Sequence, residues 1–116
     1  MKKIFYLSAL LFCSLAFAEP EKYYVEKYCQ GEIEVLLEDS TRVDCLTDYH
    51  AIEFDFSSKW AESIGQSLYY AAMTGKKPAV FLICDKPHLC ERHVNRFVKA
   101  TKHYKIDLYT IRMKAK

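Results

Sequence analysis

The segment 79–84 limits the possible folds of this chain most strongly, because all six of its side chains are apolar. A strand that is apolar on both faces belongs inside a sheet that is covered on both sides. The alternating segment 51–56 and a helical pattern ending near Met73 precede it, and Gly75 closes that helix. This strand–helix–strand unit predicts a parallel pair joined by a right-handed crossover.

The remaining elements follow from apolar periodicity and turn residues. We expect a helix from Glu21 to about Gln30, ended by Gly31, and a hairpin of strands 32–37 and 42–46. Ser57 or Ser58 would cap the second helix, whose apolar stripe is Trp60, Ile64, Leu68 and Ala71. A third helix from Pro87 to about His103 and a last strand over 106–111 complete the chain. The predicted fold class is α/β, with one mixed sheet flanked by helices.

The first eighteen residues resemble a secretory signal peptide. Two lysines precede the almost wholly apolar segment 4–17, and Ala16 and Ala18 are the small residues that a signal peptidase reads. We predict cleavage after Ala18, leaving a single domain over 19–116 that is periplasmic or secreted. This domain would have no stable membrane association, whereas an uncleaved N-terminal anchor is the alternative.

Four cysteines remain in the expected mature chain, namely Cys29, Cys45, Cys84 and Cys90. An even number in an exported domain predicts two disulfides, with three possible pairings. The short spacing of Cys84 and Cys90 favours a bond between them, which leaves Cys29 for Cys45. The alternative is a zinc site built from Cys84, Cys90, His88 and His93.

Acidic residues on two neighbouring strands form the candidate chemical centre. Asp44 lies near the end of one predicted strand, and Glu53 lies on the next, where Asp55 shares its face. Magnesium is commonly held by one or two carboxylates, with water and phosphate in the other positions. Convergence of Asp44 and Glu53 would therefore create a cation site. The alternative is the solvent-exposed face of an edge strand.

Other residues could join this centre. Glu34 could approach from the neighbouring strand, and Glu21 and Glu26 from the first helix. His50 is a possible proton carrier, although an ordinary exposed histidine is the competing interpretation.

Two short patterns together resemble the PD-(D/E)XK nuclease superfamily. Val43-Asp44 followed by Ile52-Glu53-Phe54-Asp55 is similar to its acidic core, and Gln66-Ser67-Leu68-Tyr69-Tyr70 is similar to the glutamine–tyrosine helix motif of its RecB-type branch. The element order also resembles that superfamily over nearly the whole mature chain. The resemblance implies a restriction-endonuclease-like αβββαβαβ fold.

The resemblance also implies roles for individual residues. Asp44 and Glu53 would hold Mg²⁺ or Mn²⁺, with Asp55 as a third ligand. The superfamily places a lysine two residues after the glutamate, and here that position is Asp55. Lys59 is the natural substitute, orienting water and stabilising charge on phosphate. Gln66 and Tyr70 would place the substrate.

The third predicted helix carries basic residues at helical spacing. Arg92, Arg96 and Lys99 could contact backbone phosphates, whereas a solvated helix face is the simpler interpretation. Taken together, the sequence predicts an exported, metal-dependent nuclease acting on nucleic acid, with DNA favoured over RNA. The alternative is an inactive nuclease-like binding module. The mode of cleavage and the oligomeric state stay open.

Overall fold

The computed structural model describes residues 19–113, which form an α/β domain with one five-stranded mixed sheet and three helices. Every predicted element is present and in the predicted order. The elements are α1 (Glu21–Tyr28), β1 (Glu32–Leu36), β2 (Arg42–Leu46), β3 (His50–Phe56), a 3-10 turn (Ser57–Lys59), α2 (Trp60–Thr74), β4 (Lys77–Cys84), α3 (Pro87–Ala100) and β5 (Asp107–Arg112). The proposed cleavage site after Ala18 lies outside the described residues.

The sheet has the strand order β1-β2-β3-β4-β5. The pairs β1–β2 and β2–β3 are antiparallel, whereas the pairs β3–β4 and β4–β5 are parallel. Helix α2 makes the crossover from β3 to β4, as the strand–helix–strand pattern predicts. Side chains of α1 pack on one face of the apolar β4 segment, and those of α2 and α3 pack on the other, which explains why both faces are apolar.

Helices cover both faces of the sheet and divide the core in two. On one face, Tyr24 and Val25 of α1 pack with Phe54 of β3 and Ile83 of β4. The opposite face buries Val80 and Leu82 of β4 against Phe97 of α3, with partly buried side chains of α2 beside them. Because successive side chains of β4 point to opposite faces of the sheet, this strand contributes to both parts of the core.

The contact of α2 with the sheet differs from the predicted apolar stripe. Trp60 and Ile64 are only partly buried, whereas Ser63 and Ser67 are fully buried. The Ser63 hydroxyl donates to the Trp60 carbonyl at 2.7 Å, and the Ser67 hydroxyl donates to the Ile64 carbonyl at 2.9 Å. Small side chains that satisfy their own polar groups allow close packing, which apolar periodicity does not reveal.

Helix ends show further differences. The 3-10 turn contains Ser57 and Ser58, so neither caps α2, and α1 ends at Tyr28 rather than near Gln30. Gly75 ends α2 as predicted, with a φ of 70° and its N–H donating to the Ala71 carbonyl. The left-handed conformation at this position favours glycine, which has no Cβ atom to clash.

Two disulfides brace the domain. Cys29–Cys45 ties the end of α1 to β2, and Cys84–Cys90 ties the end of β4 to the first turn of α3. The zinc alternative is therefore wrong for this oxidised state, because both of its sulfur ligands are bonded to each other. Such bonds are typical of proteins from oxidising compartments. Each helix within residues 19–113 is too short or too polar to cross a bilayer.

Candidate active site

The two predicted metal-binding carboxylates face each other across neighbouring strands. Strands β2 and β3 pair at Cys45–Ile52 and Leu46–Ala51, and the same register places Asp44 opposite Glu53. Oδ2 of Asp44 accepts a hydrogen bond from the Phe54 backbone N–H at 2.8 Å. The Asp44 carboxyl group thus takes the place of the backbone carbonyl that would accept this hydrogen bond in a regular sheet. The bond holds the carboxyl group between the two strands.

Glu53 is the most unusual group of the site. Only 6% of the residue is exposed, and its Oε2 atom has no hydrogen-bond partner among the described residues. Burial raises its pKa to about 10, and the nearby charges of Asp44 and Asp55 add to the shift. Burial also raises the pKa of Asp44, although the hydrogen bond from Phe54 lowers it. At neutral pH, without a cation, this pair retains a proton.

Glu21 and Asp55 form a second acidic pair beside the first. The pKa of Glu21 rises to about 7 because of burial and then because of the charges of Asp44 and Asp55. The pKa of Asp55 rises to about 6, mainly through burial, while the positive charge of Lys59 lowers it. Glu21 reaches this cluster from the first turn of α1, as the sequence had allowed.

Lys59 and Tyr70 lie close enough to affect this acidic cluster of Glu21, Asp44, Glu53 and Asp55. Lys59 is exposed at the end of the 3-10 turn, and its charge lowers the pKa of both Glu21 and Asp55. Burial raises the pKa of Tyr70, followed by the charges of Glu53 and Asp44. These electrostatic influences indicate that Lys59 and Tyr70 lie near the acidic residues.

A buried contact with α3 positions the turn that carries Lys59. Oγ of Ser57 lies 2.8 Å from Nδ1 of His93 in a hydrogen bond, and both residues are buried. Burial lowers the pKa of His93, and the charges of Arg96 and Arg92 lower it further. A neutral His93 can therefore anchor Ser57 at neutral pH. Sequence spacing had suggested His93 only as a zinc ligand.

The other predicted site residues are more distant from this chemistry. Gln66 is exposed on α2, and within residues 19–113 its side chain makes no hydrogen bond. Arg92, Arg96 and Lys99 lie on the exposed surface of α3, where only solvation of a helix face is evident. The His50 side chain is hydrogen-bonded to Asp107 on β5 and not to a member of the acidic cluster.

Of the two remaining acidic candidates, one affects the acidic cluster and the other makes an ion pair elsewhere. Glu34 of β1 is exposed, and its charge raises the pKa of Asp44. Glu26 lies 3.9 Å from Lys22 on the solvent side of α1. Glu34 is therefore a peripheral member of the acidic surroundings, whereas Glu26 makes a surface ion pair.

The carboxylate oxygens of this site are suitable ligands for a hard divalent cation, although the protein offers only a small number of them. Within residues 19–113, no three His, Cys, Asp or Glu side chains converge as a metal site. The facing carboxyl groups of Asp44 and Glu53, including the unpartnered Oε2, could still supply two oxygen ligands. That number suffices for magnesium when water and substrate phosphate fill the other positions.

The chain matches no protein-family model, no curated protein and no solved structure. Its geometry is therefore the basis for a functional assignment.

Proposed function

We propose that this chain is an exported, metal-dependent nuclease with a restriction-endonuclease-like fold of the PD-(D/E)XK type. The observation that carries the proposal is the Asp44–Glu53 pair, in which a buried carboxyl group keeps one oxygen without a partner. Burying such a group without a partner costs free energy, and a bound ligand would offset that cost. The five-stranded sheet and its element order are compatible with that fold.

Asp44 and Glu53 hold Mg²⁺ or Mn²⁺ in this proposal, and Asp55 assists. A divalent ion at this position neutralises phosphate charge and lowers the pKa of bound water. The proton that Asp44 and Glu53 retain without the ion must leave when the ion binds. Glu21 lies against Asp55 and, with a pKa of about 7, can accept or return a proton near neutral pH.

Lys59 replaces the strand lysine that the superfamily normally has. Its positive charge lowers the pKa of Asp55 and Glu21, which supports a role for Lys59 beside the phosphate of a bound substrate. There it orients the attacking water and stabilises negative charge that develops on the phosphate. Tyr70 and Gln66 place the substrate from α2.

Nucleic acid is the proposed substrate, with DNA favoured over RNA. Arg92, Arg96 and Lys99 are exposed on α3 and free to contact the phosphates of a bound strand. The two disulfides are compatible with a periplasmic or secreted protein. Cleavage of nucleic acid would then take place outside the cytoplasm.

The test is cleavage of supercoiled plasmid, single-stranded DNA and RNA with Mg²⁺, Mn²⁺ or chelator. We expect Asp44→Ala and Glu53→Ala to reduce metal-dependent cleavage at least about 100-fold, because each removes one of two protein ligands. Lys59→Ala should reduce the rate by about 100-fold or more if it stabilises the phosphate. Glu38→Ala is the matched control, since Glu38 is an exposed carboxylate on the β1–β2 turn.

Activity that persists in both carboxylate variants contradicts the assignment, as does activity that chelation leaves unchanged. Circular dichroism and urea unfolding of each variant distinguish loss of chemistry from loss of structure.

A second candidate is a nuclease-like binding module without catalytic activity. Asp55 stands where the superfamily has a lysine, and the described residues include no three-ligand cluster. Calorimetry with Mn²⁺ separates the two functions. A folded protein that binds no Mn²⁺ and cleaves no substrate supports the module.

A further inference from the structure

The Cys84–Cys90 disulfide is connected with the turn that carries Lys59 through the buried side of α3. Cys90 and His93 are both buried on this side, and His93 follows Cys90 by about one helical turn. Nδ1 of His93 lies 2.8 Å from Oγ of Ser57 in a buried hydrogen bond. Ser57 begins the 3-10 turn that ends at Lys59. A change at the disulfide can therefore reach Lys59 through two buried side chains.

The disulfide secures a helix start that has little other support. Residues 86–88 are exposed, and no side chain caps the beginning of α3. The free N–H groups at the start of a helix are often satisfied by such a cap. Cys90 is buried, and its bond to Cys84 ties the first turn of α3 to the end of β4. Without this bond, we expect the first turn to loosen and His93 to lose its fixed position.

Ser57 holds the turn at two points. Its carbonyl group accepts a hydrogen bond from the Trp60 backbone N–H, and its hydroxyl group is hydrogen-bonded to His93. Lys59 lies between Ser57 and Trp60, and its side chain is free to extend into solvent, since the residue is exposed. The backbone from which the Lys59 side chain extends is therefore held in place by His93.

We propose that His93 and Ser57 are positioning residues for Lys59, and that the Cys84–Cys90 disulfide holds His93 in this role. The part played by Lys59 rests on the proposed nuclease function, whereas the connection from the disulfide to Ser57 does not. The bond forms when the two thiols reduce an oxidant such as glutathione disulfide, which takes up two electrons and two protons and leaves as two glutathione thiols. Before this oxidation, Lys59 is poorly placed and the nuclease has low activity.

Replacing His93 by asparagine or glutamine tests the contact, because asparagine places a nitrogen near Nδ1 of histidine and glutamine places one near Nε2. We expect His93→Gln to lower kcat for plasmid cleavage about tenfold and to change KM by less than about twofold, since Lys59 acts on the transition state. His93→Asn should keep kcat within about threefold of the parent. Mn²⁺ affinity should be unchanged in both variants, because Asp44 and Glu53 are retained. His103→Gln is the matched control, since His103 is exposed beyond the end of α3.

NMR of the His93 imidazole tests the link to the disulfide and does not require cleavage. In the oxidised parent, the nitrogen shifts should show one tautomer with a hydrogen-bonded Nδ1. Cys84→Ala/Cys90→Ala should lose this signature, whereas Cys29→Ala/Cys45→Ala should keep it, because that bond joins α1 to β2. Cys84→Ala/Cys90→Val, which fills more of the buried volume, takes the place of the first variant if circular dichroism shows that it does not fold.

Unchanged nitrogen shifts of His93 without the Cys84–Cys90 bond overturn the proposal, as do equal kcat values for His93→Asn and His93→Gln. Lower Mn²⁺ affinity in His93→Gln also overturns it, because the change would then act on the acidic cluster itself. A parent protein that cleaves no nucleic acid refutes the proposed function and the role of Lys59. In that case the nitrogen shifts still decide whether the disulfide controls His93.

Discussion

At the scale of single residues, Glu53 shows how the proposed function and stability oppose each other in this domain. Its carboxyl group is buried beside Asp44, and its pKa of about 10 reflects the cost of ionising it there. A neutral carboxyl group avoids most of that cost, and a divalent cation would compensate for the charge. The protein therefore retains a proton where the proposed function requires a metal.

This proton predicts that stability falls as pH rises. The pKa of Glu53 is 4.5 when unfolded and about 10 when folded, so between these values the folded state binds more protons. The stabilising contribution is complete below about pH 4.5 and is lost progressively towards pH 10. The raised pKa values of Glu21 and Asp55 act in the same direction over narrower pH ranges, which end at about pH 7 for Glu21 and about pH 6 for Asp55. Urea unfolding at about pH 5 and pH 8 measures the difference, which should exceed about 1 kcal/mol.

Glu53→Gln tests the origin of this effect, since glutamine resembles the protonated acid and does not titrate. We expect the variant to be more stable than the parent at about pH 8 and to lose most of the dependence on pH. Glu38→Gln should leave the pH profile unchanged. A parent protein that is equally stable at both pH values would show that Glu53 ionises freely in the fold.

At the scale of elements, the connection from α1 to β1 depends on a close backbone approach. A Cβ atom on Gly31 would overlap the Leu46 carbonyl group. This contact is adjacent to the Cys29–Cys45 disulfide, which joins the same two segments. Glycine at this position therefore allows the first helix to approach the hairpin, whereas the predicted role of Gly31 in ending α1 is wrong, because the helix ends earlier, at Tyr28.

Two glycine substitutions with opposite effects test this explanation. Gly31→Ala should destabilise the domain by about 1–3 kcal/mol, because backbone must move to relieve the overlap. Gly65→Ala should stabilise it by about 1 kcal/mol, since Gly65 lies inside α2 and an added Cβ there would meet no atom within 4 Å. Urea unfolding midpoints of both variants provide the measurement. A stable Gly31→Ala protein would mean that the α1–β1 connection adapts at little cost.

At the scale of the whole molecule, the two disulfides close loops of different length. Cys29–Cys45 spans 16 residues and Cys84–Cys90 spans 6. Because a cross-link restricts the unfolded chain more when its loop is longer, the first bond should contribute more stability. It also secures α1, which carries Glu21 into the acidic cluster.

Replacing each cysteine pair by alanine tests this ranking. The chain-entropy relation gives losses of about 3 kcal/mol for the Cys29/Cys45 pair and about 2 kcal/mol for the Cys84/Cys90 pair. Chemical denaturation of the two double variants, compared with the oxidised parent, measures both losses. A larger loss for Cys84/Cys90 would indicate that packing of its two buried sulfurs outweighs loop length.

Local patterns determined the elements of this protein and much of its candidate site. Alternation along 51–56, the apolar segment 79–84 and the helical stripes place the strands and helices, because burial of apolar side chains requires those periods. The same alternation places Glu53 and Asp55 on one face of β3. Of the three possible cysteine pairings, the two disulfides that form are those favoured by the short spacing of Cys84 and Cys90.

Tertiary structure alone decided how the site is closed. The hydrogen bond from Phe54 to Asp44, the contact of Glu21 with Asp55 and the Ser57–His93 anchor all join residues from separate elements. Sequence periodicity reports which face of an element is buried, whereas distances between elements depend on packing of the whole chain.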